Sequence, residues 1–286
     1  MTRLVAAVAV LLVFVAGCNE NAAYARVAEA HRLAVLLGTE FARATNASDR
    51  AVMADTDDAS ATFAREALAA TEAVQSGMTQ MAPVLANLGY TDETRLLDDF
   101  GRRFAEYRSL DSSILALAAE GTNVKAQRLS FGAAQQAVDE LRDALDRLVP
   151  ANPAANGWRV KALAATALAS AREIQVLHAP HIAEVQEAEM TRLEAQMTSA
   201  EATARQALLD LQRLVSAGSR ADVATATAAL DRLASLNTEI KTLSRRNTNV
   251  RALALSLGQK RVLAAACDTA LRALQEAVSK RGLPTR

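Results

Sequence analysis

The chain has 286 residues, and its 32 basic and 32 acidic side chains cancel. That balance excludes the basic stripe that a nucleic-acid surface requires. Hydrophobic residues make up 51% and aromatics 3%, and beyond residue 18 β-branched runs are nearly absent, so the composition is that of a helix former with enough length for one large or two ordinary domains.

Thr2 and Arg3 give a short basic start, and Leu4 to Val15 contains no polar residue. As a helix this run reaches only about 18 Å, short of the roughly 30 Å hydrocarbon layer, so it reads as an export signal and not as a membrane span. Val15-Ala16-Gly17-Cys18 follows, and this resembles the bacterial lipobox. The resemblance implies diacylglycerol on the Cys18 thiol, cleavage before it, and a signal peptide over 1–17. The alternative is an ordinary signal peptide that ends near a cysteine. Two or three acyl chains make a lasting anchor where one does not. Asn19 in place of Asp favours the periplasmic face of the outer membrane over the inner membrane, by analogy with enterobacterial sorting. The remaining thiol, Cys267, leaves the mature chain without an internal disulfide, so its stability must come from packing.

The five prolines, at 83, 150, 153, 180 and 284, punctuate the rest of the chain, since proline breaks a helix interior. Helices are predicted over 21–54, 56–88, 92–148, 158–216 and 220–280, with starts marked by Thr91-Asp92-Glu93 and by Asp49 near Arg50. Leu97, Phe100, Phe104, Tyr107, Ile114 and Leu117 form one apolar stripe at three-and-four spacing. Val223, Leu230, Leu233, Ile240, Leu243 and Val250 form another. The turn formers gathered between Pro150 and Gly157 mark a linker over 150–157.

On either side of that linker the sequence repeats. Residues 110–132 and 236–258 share ten identities in 23 ungapped positions, at an offset of 126. The apolar register persists outside the window, pairing Leu97 with Val223, Phe104 with Leu230 and Leu145 with Leu271. The expected architecture is all-α: two tandem up-down helical-bundle units, 18–149 and 158–281, followed by a tail over 282–286, with the helical unit duplicated.

The blocks Thr122-Asn123-Val124-Lys125-Ala126 with Leu129-Ser130, and Thr248-Asn249-Val250-Arg251-Ala252 with Leu255-Ser256, resemble the last helix of the periplasmic four-helix-bundle sensor of methyl-accepting chemotaxis receptors and some histidine kinases. The similarity extends through Leu177-His178-Ala179-Pro180-His181-Ile182 and the run ending Arg272-Ala273-Leu274-Gln275-Glu276-Ala277. It is strongest over 158–281 and weaker over 22–148. The resemblance implies an extracytoplasmic module that binds a small ligand or a membrane receptor. It departs from those receptors in that no second apolar run follows before Arg286, so signalling across a membrane would fall to a partner.

Four residues are candidates for a ligand site. Asn123 and Asn249 either line a polar pocket or, buried, fix helix register or cap a helix. Lys125 and Arg251 either bind an anion or stand solvated. His178, His181 and Glu184 have metal-ligand spacing, but Pro180 interrupts it and no cysteine is near, so an exposed helix entrance is expected there and no metal or cofactor. No phosphate loop, nucleophile elbow or zinc-protease motif occurs, which points away from an enzyme. The alternative to a sensor-like binding protein is a structural envelope lipoprotein, and long amphipathic helices are compatible with a homodimer in either case.

Overall fold

A computed structural model describes the backbone over 2–151 and 156–281, and within those ranges the side chains from Ala23 onward. The side chains before Ala23, Cys18 among them, residues 152–155 of the expected linker and the tail 282–286 lie outside the described residues. No strand occurs among the residues described; the fold is all-α and forms two bundle-like halves.

The elements are α1 (Thr2–Met53), α2 (Asp57–Leu88), α3 (Thr91–Glu120), α4 (Thr122–Leu129), α5 (Gln135–Ala151), α6 (Gly157–Ala183), α7 (Glu187–Leu214), α8 (Arg220–Arg246), α9 (Thr248–Leu255) and α10 (Arg261–Lys280). Single π-helical turns, Ser130–Ala134 and Ser256–Lys260, join α4 to α5 and α9 to α10. The bounds of α4, α9 and both π turns recur at the 126-residue offset of the sequence repeat.

Three of the expected continuous helices are interrupted. Gly121 (φ 58°) parts α3 from α4, and Asn247 (φ 52°) parts α8 from α9, both in the left-handed region. Glycine and asparagine are the residues that occupy this region at least cost, so each breaks a helix that the apolar stripe alone carries straight through. The third break falls at 184–186, just after Pro180 in the last turn of α6. Asp49 lies inside α1 and does not start a helix; α2 is capped by Thr56, whose hydroxyl accepts the Ala59 N–H at 3.2 Å.

The chain divides into two compact units, but not at the expected linker. One unit holds residues up to Ala119 together with Ala252 onward, and the other holds Glu120–Arg251. Each half of the sequence therefore gives its last amphipathic helix to the unit built mainly from the other half. In the first unit Cys267, Leu271, Leu274 and Val278 of α10 join the core of Leu33, Leu37, Met81 and Leu97. Phe41, Phe100, Phe104 and Tyr107 fill its centre, with Phe41 and Tyr107 edge to face at 5.1 Å. In the second unit Val138, Leu141, Leu145 and Leu148 of α5 close a core of alanine and aliphatic side chains from α6, α7 and α8. Both predicted stripes are buried, except that Leu117, Leu243 and Val250 are half-buried.

Candidate functional site

In the second unit the first turns of α4 and α9 meet. Neither residue at the head of these helices caps its own helix, because Gly121 has no side chain and Asn247 turns its amide elsewhere. The orphan N–H groups of a helix start must still find acceptors. They find them crosswise. The Thr122 N–H donates to Thr248 Oγ1 (3.1 Å) and the Thr248 N–H to Thr122 Oγ1 (3.2 Å). The Asn123 N–H donates to Asn249 Oδ1 (3.1 Å) and the Asn249 N–H to Asn123 Oδ1 (3.2 Å).

The same junction closes the C-terminal end of α6. Asn123 Nδ2 donates to the Ile182 carbonyl (2.7 Å) and to Asn247 Oδ1 (2.9 Å), while Asn247 Nδ2 donates to the Glu184 carbonyl (2.8 Å). Lys125 Nζ donates to the Glu120 carbonyl (2.6 Å) at the end of α3. Of the four candidate residues, Asn123 is thus buried with both amide groups engaged, Asn249 is half-buried with its Oδ1 engaged, Lys125 caps a helix, and Arg251 is exposed. The first three converge on helix ends.

His178 and His181 do not mark an exposed entrance. Both are 0% exposed, because α6 turns them between α8 and its other neighbours. His178 Nε2 faces Asn237 Oδ1 (3.2 Å) and Nδ1 faces Ser130 Oγ (3.0 Å). An amide oxygen only accepts, so Nε2 carries the proton and Nδ1 accepts from the Ser130 hydroxyl. Glu184 lies apart from both, at the break, where its Oε1 accepts the Val185 and Gln186 N–H groups. Among the described residues no group of His, Cys, Asp or Glu is placed to hold a metal ion.

Burial lowers the His178 pKa to about 4, with Asn237 opposing the shift. A depressed value means that the fold favours the neutral ring. Its stabilisation is complete above the unfolded value near 6.5 and is lost as pH falls through about 4. Over that interval His178 should account for a loss of about 3 kcal/mol, read from urea unfolding at pH 7 and pH 4, and His178→Gln should remove that part of the acid sensitivity.

The first unit has its own buried polar cluster, on the equivalent π turn. Lys260, 3% exposed, donates to Ser48 Oγ (2.5 Å) and Asp49 Oδ1 (2.8 Å) and lies 3.4 Å from Asp111 Oδ1. The Ser48 hydroxyl donates to Asp111 (2.5 Å) and the Ser256 hydroxyl to Asp49 (3.1 Å). Burial pushes the Asp111 carboxyl up, against the opposing effects of Ser48 and Lys260. Burial also pushes the Cys267 thiol up to about 12, so it stays protonated.

Sequence reasoning passed over most of these groups. Asp111 and Asn237 were nevertheless legible: each fills the gap in its apolar stripe, between Tyr107 and Ile114 and between Leu233 and Ile240, and the two are related by the repeat offset. A polar residue at a core position of a stripe needs a buried partner. Ser48, Ser244 and Lys260 carry no comparable signal.

No protein-family model and no curated protein matches the chain.

Proposed function

We propose that this chain is an extracytoplasmic lipoprotein, anchored through Cys18 on the periplasmic face of the outer membrane, that works as a sensor-like binding module by engaging a protein partner on its outer faces and catalyses no reaction. The reading joins the lipobox and chemoreceptor-sensor resemblance to one structural observation: the side chain of Asn123, at the heart of the sensor-like motif, has its oxygen and amide nitrogen committed to helix ends. A small-molecule site needs a concave space with a few convergent polar groups to spare. The grooves described in each unit are open and lie elsewhere. One of them, about 630 Å³, is lined by residues of α1 and α10 such as Val35, Gly38, Leu271 and Gln275.

The test has two arms. The full-length protein should sediment with membranes and Cys18→Ser should not. The fragment from Asn19 should show no reproducible change in thermal midpoint with amino acids, organic acids, aromatic acids or divalent metals. A ligand at a hundred times its dissociation constant adds about 2.7 kcal/mol and would raise the midpoint by about 5 to 10 °C. Such a rise, abolished by Asn249→Ala or Arg251→Ala, would overturn the partner-binding reading in favour of small-ligand sensing. Release of the wild type from membranes would overturn the anchor.

A further inference from the structure

At the end of α6 one hydroxyl has two acceptors and one proton. Ser244 Oγ lies 2.8 Å from His181 Nδ1 and 2.8 Å from the carbonyl oxygen of the same residue. On the far side of the ring, Nε2 lies 2.9 Å from Glu194 Oε1. Arg245 donates to that carboxylate through Nε (2.7 Å) and Nη2 (3.1 Å) and holds it below the usual carboxylate range. An ionised carboxylate only accepts, so Nε2 carries a proton whatever the charge of the ring. The variable proton is therefore the one on Nδ1.

With a neutral ring, Nδ1 accepts a hydrogen bond from the Ser244 hydroxyl, and the His181 carbonyl loses its donor. The N–H four residues on, at Val185, is already committed to Glu184 Oε1 (2.8 Å), so α6 itself supplies no replacement. With a charged ring, Nδ1–H donates to Ser244 Oγ and the hydroxyl turns to the carbonyl. We propose that His181 and Ser244 form a proton-operated clasp: uptake of a proton from solvent at Nδ1 moves the Ser244 hydroxyl onto the His181 carbonyl and closes the end of α6, and loss of that proton releases it.

The charged surroundings set where it acts. Burial disfavours the charged ring most; Lys241 and Arg245 on α8 also disfavour it, and Glu194 on α7 favours it. Glu187 on α7 pairs with Arg245. His178 precedes it on α6, and from α4 the neutral Asn123 reaches the adjacent Ile182 carbonyl. The negative end of α6 adds to the pull of Glu194. Closure consequently belongs to acid, below the ordinary histidine range.

The chain has three histidines, so labelling histidine with 13C at the carbonyl and 15N in the ring gives three resolvable sites in the full-length protein. As pH falls, protonation of the His181 ring and a downfield movement of the His181 carbonyl resonance should share one midpoint. Ser244→Ala should leave the ring titrating with the carbonyl unmoved, and Ser244→Thr, which keeps a hydroxyl, should restore the movement. A carbonyl that stays still while the wild-type ring takes its proton overturns the clasp, as does a ring that gains none before unfolding, or a carbonyl movement that survives Ser244→Ala. If Ser244→Ala does not fold, the wild-type and Ser244→Thr midpoints decide the matter.

Discussion

Lys260→Met should destabilise the unit built from α1, α2, α3 and α10 by about 3 to 5 kcal/mol at neutral pH, seen as a fall in its urea midpoint. The ammonium is almost wholly buried and faces two carboxylates and a serine hydroxyl. Methionine matches the stem but leaves the 2% exposed Asp111 without its counter-charge. Asp49, on the outside of α1, can turn to water; Asp111 cannot. Its carboxyl is already raised by burial, and losing Lys260 raises it further. The fold of the variant then favours the protonated acid, so the loss is complete above that raised value and shrinks as pH falls through it. Adding Asp111→Leu should recover most of the stability at neutral pH, because a buried ion pair is replaced by apolar groups at little cost while half a pair is not. A variant equally unstable at pH 7 and pH 5, or unrescued by Asp111→Leu, would mean that Lys260 acts through packing alone.

Asn123→Ala should cost the second unit about 3 kcal/mol, since it strands the buried Ile182 carbonyl, the Asn247 amide oxygen and the Asn249 N–H together. Its repeat partner is a milder case. Asn249 contributes only its oxygen, to the Asn123 N–H, and Asn249→Ala should cost about 1 kcal/mol, the usual loss for one helix cap. Had the pair lined a common ligand pocket, the two substitutions would affect ligand affinity more than unfolding.

The helical class, the buried stripes and the break residues all have a local cause, and the sequence carries each one. Leu97, Phe100, Phe104 and Tyr107 repeat at helical spacing because they share one buried face. Gly121 and Asn247 stand immediately before Thr-Asn, a left-handed former ahead of a capping residue, which is a readable helix break. What escaped was non-local. Nothing near Asn123 specifies that its caps come from residues 126 positions away, and nothing near Gln135 tells α5 to pack on α8 and not on α1 or α2. An amphipathic helix states that it needs an apolar partner without stating which one. His178 and His181 read as exposed because Pro180 between them suggested an opening. Pro180 itself faces solvent, and the two rings, one turn apart, face inward to Asn237 and Glu194.

The first turns of α4 and α9 cap one another crosswise, and amide hydrogen exchange reads this residue by residue. First-turn amides of a helix lack an acceptor within it and exchange fast unless something else holds them. In the wild type the amides at 122, 123, 248 and 249 should all be protected. Asn249→Ala should deprotect the amide at 123 and leave the one at 249 protected, and Asn123→Ala should deprotect the one at 249 and spare its own. Fast exchange at these four amides in the wild type, or a substitution that deprotects its own position and spares its partner's, would contradict the crosswise junction.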